Sequence, residues 1–252
     1  MADIEALAEK LSGDISALPE ERMRLALLCK TLSELNPEES ARLLDAVYSK
    51  DPEDKPATIV RSLMVDDEGV HALLGDAAYN SIYLAALRLN LTRISRLFTE
   101  FEPHKQGISG YEEEEFIRME RLSLGERRSL SKSQLKKNID MLLSDPDPVV
   151  ICNLLNNPRI TEREVLKIAS KRPNSGRILK LVALHPKWSK RYEVAKAVSL
   201  NPYAPPRISI ALVEKMLSQD LLAISEDNTI HPEVRETAKE ALSNRGKKGK
   251  GR

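Results

Sequence analysis

The densest concentration of chemically capable side chains lies between Lys167 and Lys196. Lys167, Lys171, Arg172, Arg177, Lys180, Lys187, Lys190, Arg191 and Lys196 stand there against one acid, Glu193, a net of +8 over thirty residues. Trp188 and Tyr192 fall inside the same stretch, four residues apart. Cations at this density can hold carboxylates or backbone phosphates, and an aromatic ring beside them can stack on a base. Three readings follow. The cations could cover a solvated face while Trp188 and Tyr192 pack between helices. They could meet an acidic protein partner, or they could meet nucleic acid.

Nothing else in the chain has the spacing of a catalytic or metal centre. There is no Gly-rich phosphate loop, no His-Glu-x-x-His, no Cys-x-x-Cys and no Gly-x-Ser-x-Gly. Of the four histidines, His185 and His231 precede prolines, in the slot that Asn157 and Asn201 occupy elsewhere. That equivalence favours helix capping over metal binding or proton transfer. His71 and His104 have no companion at ligand spacing. The acid run Glu112–Glu115 follows Ser109, which with Glu112 forms a candidate capping box. Acids in a first helical turn complement the helix dipole, so the run reads as solvated structure rather than a cation site. The expectation is a non-enzyme with no catalytic residues, no cofactor and no metal.

Composition points to the elements that must carry these side chains. The 252 residues are 41% hydrophobic, 31% charged and only 4% aromatic, with ten glycines. Such a mixture favours helices over sheets. The net charge of +1 conceals a split. Residues 1–121 hold 14 Lys and Arg against 24 Asp and Glu, a net of −10, and residues 122–252 hold 25 against 14, a net of +11. No apolar run reaches the length of a membrane span. The start, Met1-Ala2-Asp3-Ile4-Glu5, is acidic and lacks the pattern of a secretory signal. Cys29 and Cys152 are too few and too far apart for a disulfide framework, and they read as small buried side chains in a reducing, cytoplasmic setting.

The N-terminal part divides into several amphipathic helices. Asn36-Pro37-Glu38-Glu39 has a capping residue, a proline suited to the first turn and two acids at the positive helix end. Leu18-Pro19-Glu20-Glu21 resembles it. Leu25, Leu28, Leu32 and Leu35 share one face, as do Ala41, Leu44, Val47 and Tyr48. Further helices are expected from Ala57 to about Val65 and from Ala77 to about Phe101, the second marked by an apolar stripe of Leu84, Leu87 and Leu91. The break Glu102-Pro103-His104-Lys105-Gln106-Gly107 suggests a domain boundary.

From about Leu122 prolines follow polar residues at intervals: Asp147-Pro148, Asn157-Pro158, His185-Pro186, Asn201-Pro202 and His231-Pro232. A residue before proline is pushed out of the α region, so each pair stops one helix and starts the next. Amphipathic segments follow most of them: Val165, Ile168 and Ala169; Val194, Ala195 and Val198; Ile208, Ala211, Leu212 and Met216; Val234, Ala238, Ala241 and Leu242. Thr161 with Glu164 forms a second capping box. The prolines are spaced 10, 28, 16 and 30 residues apart, which suggests alternating one-helix and two-helix units. Short helices with one apolar face each must stack to bury it.

The stretches Leu122–Arg127, Asp145–Val150 and Leu155–Glu162 resemble a recurrent pattern of bacterial helical-repeat proteins. His185–Arg191, Asn201–Pro206 and Ile230–Arg235 with Ala238 look like its later units. The pattern is similar to leucine-rich-repeat-variant and HEAT-like modules over residues 122–243. The resemblance implies a right-handed α-solenoid that binds other proteins. Some leucine-rich-repeat-variant proteins carry an iron–sulfur cluster, but two cysteines cannot supply its usual four thiolates. HEAT-like DNA glycosylases grip duplex DNA on a basic face, using an acid beside several aromatics that has no counterpart here.

The expected fold is therefore all-α: an acidic helical domain over residues 1–107, helical repeats over 108–243 and a basic, disordered tail over 244–252. The expected function is a protein-interaction scaffold in a bacterial cytoplasm, binding an acidic partner through the nine cations of residues 167–196. Nucleic-acid binding through the same surface and the tail is the alternative. The charge split also allows head-to-tail association of the acidic half with the basic half, within one chain or between chains. Light scattering from low to high salt tests the intermolecular form: assemblies should dissociate as salt rises, and a monomer at all salt concentrations would exclude them.

Overall fold

The computed structural model describes residues 2–107 and 122–249. The capping box expected at Ser109 and the acid run Glu112–Glu115 lie outside them. The described residues are all-helical, with fifteen helices and no strand. In chain order these are α1 (Ala2–Ala17), α2 (Glu21–Glu34), α3 (Pro37–Tyr48), α4 (Lys55–Leu63), α5 (Asp67–Arg88) and α6 (Thr92–Leu97), then α7 (Leu124–Leu130), α8 (Lys136–Leu142), α9 (Pro148–Leu155), α10 (Glu162–Ser170), α11 (Gly176–Leu184), α12 (Tyr192–Ser199), α13 (Pro206–Val213), α14 (Ser218–Glu226) and α15 (Pro232–Gly249). No helix of the described residues is long and apolar enough to cross a membrane.

The chain divides into two compact units. One joins the residues up to Phe101 with Ile210–Ser225 and the residues from Glu233 on. The other joins Glu102–Ser209 with Glu226–Pro232. The break near Phe101 lies close to the boundary read from the sequence, but the C-terminal helices group with the N-terminal ones. The tail also differs from expectation, because α15 continues as helix to Gly249.

In the first unit, α1 packs on α3 and α4, and α5 packs on α2 and α3. Leu25, Leu28 and Leu32 are buried, as are Ala41, Leu44, Val47 and Tyr48. Asn36 caps α3 as its sequence suggests. Its Oδ1 accepts from the Glu39 N–H at 2.9 Å, and the Glu39 carboxylate accepts from the Asn36 N–H at 3.4 Å. The expected long helix from Ala77 is different. Helix α5 starts ten residues earlier, at Asp67, and breaks at Gly75, whose φ of 74° suits glycine. It then ends at Leu89, where Asn90 adopts φ 54°. The Asn90 N–H donates to Leu87 O at 3.1 Å and the Leu91 N–H to Ala86 O at 2.8 Å, which closes the helix as a Schellman motif. The expected apolar stripe is also rotated. Leu84 and Leu87 are exposed, and Ile82, Ala85 and Ala86 are buried in their place. Small alanines let the neighbouring helices approach, so the bulkier leucines are left on the outside.

In the second unit, α7 and α10 each contact both the next helix and the one after. Helix α9 packs on α7, α8 and α11, and α12 packs on α10 and α11. Helices α8 to α13 begin at Lys136, Pro148, Glu162, Gly176, Tyr192 and Pro206, intervals of 12 to 16 residues. The spacing is thus far more even than the prolines imply. Only the corner before α8 turns without a proline, and the corner before α11 has Pro173, which follows an arginine rather than a capping residue, so the spacing of the polar-residue–proline pairs overstates the irregularity.

The ends of α7, α8, α9 and α10 each meet a side chain from the corner two helices later. Asn157, after α9, donates from Nδ2 to Ser131 O at 3.1 Å and to Ser133 O at 2.8 Å, beyond the end of α7. Asn201, after α12, donates to Ala169 O at 2.8 Å and Lys171 O at 3.0 Å, at the end of α10. Lys171, after α10, donates to Ser144 O at 3.2 Å, beyond the end of α8. Trp188, after α11, donates from Nε1 to Leu155 O at 2.9 Å, the last residue of α9. These carbonyls have no partner within their own helix, so the later corner satisfies them. The same corner residues also turn their own backbone. Oδ1 of Asn157 accepts from the Arg159 N–H at 3.0 Å, Oδ1 of Asn201 from the Tyr203 N–H at 3.1 Å, and Nδ1 of His185 from the Lys187 N–H at 3.2 Å. The capping role inferred for the pre-proline histidine thus has a geometric counterpart at His185.

Two outcomes follow. Asn201→Leu leaves two carbonyls and one N–H unpaired in a buried site, so it should lower unfolding free energy by about 1 to 3 kcal/mol for the unmatched groups. Urea denaturation would measure it, and a neutral effect would show that the corner bonds contribute nothing. Burial, reinforced by the charge of Lys187, holds the His185 pKa below its usual value. The unfolded chain then binds a proton that the folded chain resists, so stability should fall as pH drops through the ordinary imidazole range, near about 6.5. His185→Asn, which supplies the amide of the Asn157 and Asn201 corners, should flatten that slope. An unaltered slope in parallel melts would assign it to other groups.

Candidate functional site

The structure distributes the nine cations over three helices and two corners. Lys167 lies on α10, Arg177 and Lys180 on α11, and Lys196 on α12. Lys171 and Arg172 form the corner after α10, and Lys187, Lys190 and Arg191 form the corner before α12. Helices α10 and α12 pack on each other, and each also packs on α11, which carries Arg177 and Lys180. The nine therefore do not share one helix face.

Several of them have structural duties. Lys171 caps α8, as above, and the Arg172 guanidinium donates to Leu200 O at the end of α12. A cation at a helix C-terminus also meets the negative end of the helix dipole. Arg191 lies 3.7 Å from Glu162 across the starts of α12 and α10. Lys180 and Lys196 are half-buried. Lys167, Arg177, Lys187 and Lys190 are exposed, with the Lys187 ammonium 4.1 Å from the centre of the Trp188 ring. Trp188 itself is 2% exposed, and its N–H is committed to Leu155 O. Its ring fills the space between helices and has no open face for a nucleobase. Among the nine, the corner from Lys187 to Arg191 thus groups three exposed cations in one turn, with Lys187 over a buried aromatic.

Other charges in this unit hold the early helices together. Arg127 pairs with the buried Asp145 at 2.9 Å, and Arg128 pairs in bidentate fashion with Asp147 at 3.2 and 3.1 Å. Asp147 also caps α9 by accepting from the Val150 N–H at 3.1 Å. The Arg128 hydrogen bonds hold the Asp147 carboxyl below its usual pKa. Lys136 pairs with Glu164, whose carboxylate also accepts from the Thr161 N–H at 2.7 Å and hydroxyl at 2.8 Å.

A second cluster, in the first unit, escaped the sequence reading. A cavity of about 260 Å³ is lined by Lys50, Arg61, Arg93 and Arg245 with one carboxylate, Glu214, and by Tyr48, Ser49 and Asn244. Arg61 is 2% exposed. It donates to Val47 O at 2.9 Å and Lys50 O at 2.8 Å, and so closes the C-terminus of α3. Burial pushes its pKa down, and the charge of Glu214 works in the opposite direction. Arg93 grips Glu214 through two hydrogen bonds, one of 2.5 Å from Nε, and lies 5.2 Å from the centre of the Tyr48 ring. Burial opposes the Arg93 charge, but Glu214 outweighs it and holds the pKa above its usual value. Arg245 donates to Met216 O at 2.7 Å.

Comparison with protein-family models, with curated proteins and with solved structures finds no match.

The Arg cluster was nonetheless partly legible. Ala57, Val60 and Arg61 are spaced to share one face of α4, so an arginine sits where the core is expected. An arginine in that position must find acceptors when it is buried. The partners at residues 93, 214 and 245 lie too far along the chain for any local pattern to join them. No three His, Cys, Asp or Glu side chains of the described residues are grouped to hold a metal ion.

Proposed function

We propose that the chain is a protein-interaction scaffold whose residues 122–243 form a right-handed α-solenoid of HEAT-like or leucine-rich-repeat-variant-like units, and that it binds an acidic protein partner. The observation that carries the reading is the corner from Lys187 to Arg191. Three cations crowd one turn there, Lys187, Lys190 and Arg191 are all exposed, and a buried tryptophan beneath them fixes the turn. Helices that touch both the next helix and the one after support the solenoid, because a stacked array produces that pattern. Point charges on a fixed turn suit carboxylates on a complementary protein. They steer association and set orientation, with an affinity that falls as salt rises. The burial of Trp188 argues for a protein partner over single-stranded nucleic acid, since it removes the stacking platform that such binding uses.

The test pairs the chain with Lys187→Glu, Lys190→Glu, Arg191→Glu in one variant. Fluorescence anisotropy with a labelled glutamate-rich peptide, and separately with duplex DNA and single-stranded RNA, is measured at low and moderate salt. The peptide should bind the native chain at low salt and lose about tenfold or more with the three reversed charges, each rim charge contributing a modest share. Equal binding by the variant, or tighter binding of either nucleic acid than of the peptide at equal salt, would overturn the reading.

A further inference from the structure

Three corners of the second unit lie side by side along one edge. Helix α9 packs on both α7 and α11. The turns that follow these three helices, residues 131–135, 156–161 and 185–191, therefore form a row. Hydrogen bonds tie each turn to its neighbour. Asn157 reaches Ser131 O and Ser133 O, and Trp188 reaches Leu155 O at the edge of the middle turn. The His185 ring adds a contact to Asn156 Oδ1 at 3.4 Å. Packed helices run about 8 to 10 Å apart, so the turns repeat at roughly that interval.

All three turns are basic. They hold Lys132, Arg159, Lys187, Lys190 and Arg191 with no Asp or Glu. All five cations are exposed. The acids of the adjoining helices do not cancel this charge. Asp145 and Asp147 are held by Arg127 and Arg128. Glu164 is buried and paired with Lys136, which also lies 3.7 Å from Asp140. Glu162 takes Arg191 at 3.7 Å, and Glu193, in the first turn of α12, offsets at most one charge of the third turn. Among the described residues, Lys132, Arg159, Lys187 and Lys190 have no carboxylate within ion-pair distance. Each turn thus keeps at least one exposed, unmatched cation. Each also leaves one apolar side chain in solvent: Leu135, which is 67% exposed, Pro158 and Pro186.

A ligand that meets all three turns must carry negative charge at the same interval along a line. A polyproline II segment does so. With three residues per turn and a rise of about 3.1 Å, it brings side chains i, i+3 and i+6 onto one face about 9 Å apart. A β-strand alternates its side chains and would turn every second one of these away. An α-helix reaches a similar repeat in seven residues, but helix docking uses an apolar groove, and these turns expose single apolar side chains. We infer that the row of turns binds an extended acidic segment of a partner protein, in the polyproline II form, with a carboxylate at every third residue meeting Lys132, Arg159 and the Lys187–Lys190 turn in order. The inference rests on the acidic-partner reading above and extends its surface by two turns. Both sides are ordered beforehand, the turns by their hydrogen bonds and the segment by its proline backbone, so little entropy remains to be lost on binding.

The experiment uses the full chain at about 0.1 M salt, where the screening length of about 10 Å matches the separation of the turns. Fluorescence anisotropy compares two labelled peptides of one composition and one charge. The first repeats Glu-Pro-Pro three times. The second has three consecutive glutamates followed by six prolines. The glutamate-rich peptide of the earlier test serves as the reference. The repeated peptide should bind about threefold or more tightly than the clustered one, since it alone meets three turns. Lys132→Glu with Arg159→Glu should weaken the repeated peptide by about fivefold, the upper effect of an exposed ion pair, and leave the clustered peptide within about twofold. Both positions are exposed, so the variant should fold, and circular dichroism checks that it does. If the reference peptide binds but the clustered peptide equals or exceeds the repeated one, or the variant weakens both alike, this inference falls and the Lys187–Arg191 reading stands. If no acidic peptide binds, or single-stranded RNA binds more tightly than the repeated peptide, both fall.

Discussion

The second compact unit depends on how its helices end. A short helix leaves its last carbonyls without partners, and eight or nine residues bury too little apolar surface to ignore that cost. Here the missing donors come from the corner two helices further on. Asn157, Lys171, Trp188 and Asn201 reach the same result with an amide, an ammonium, an indole and a second amide. The apolar faces of α9 to α12 provide the attraction between layers. The corner bonds fix the register in which those faces meet, because a slipped helix would strand both its own carbonyls and the corner donors.

The same economy decides what the basic stretch can do. Charges that look alike along the sequence separate into two groups once the helices are stacked. Lys171 and Arg172 are drawn to helix ends, where the dipole and open carbonyls hold them. Lys187 and Lys190 remain in solvent, Lys187 over a buried ring whose N–H is held by Leu155 O. A cation's neighbours in space, rather than its neighbours in sequence, determine whether it is structural or available.

Much of the local architecture was legible in the sequence, and the reasons are specific. The Asn36-Pro37-Glu38-Glu39 cap is legible because all its atoms lie within one turn. The stripe Leu25, Leu28 and Leu32 is legible because leucine has few alternatives to burial. The stripe in α5 misled because leucine outweighs alanine in any hydrophobic pattern, whereas close helix packing selects the alanines at 85 and 86. The end of that helix at Asn90 carries no proline or glycine to announce it, only a residue type that tolerates the left-handed region. The grouping of C-terminal helices with the N-terminal unit, and the meeting of Arg61 and Arg93 with Glu214 and Arg245, depend on separations of more than a hundred residues. Period and composition say nothing about such distances.

The two-helix reach of the corner contacts also constrains how such a chain can grow or shrink. Removing one helix would change the partner of only the two corners that follow it, because every corner further on keeps the helix two places before it. Each displaced donor would still meet a helix end, and what would change is its fit to the carbonyls it finds there. A loss or insertion within residues 124–199 should therefore be felt locally and should not spread along the array.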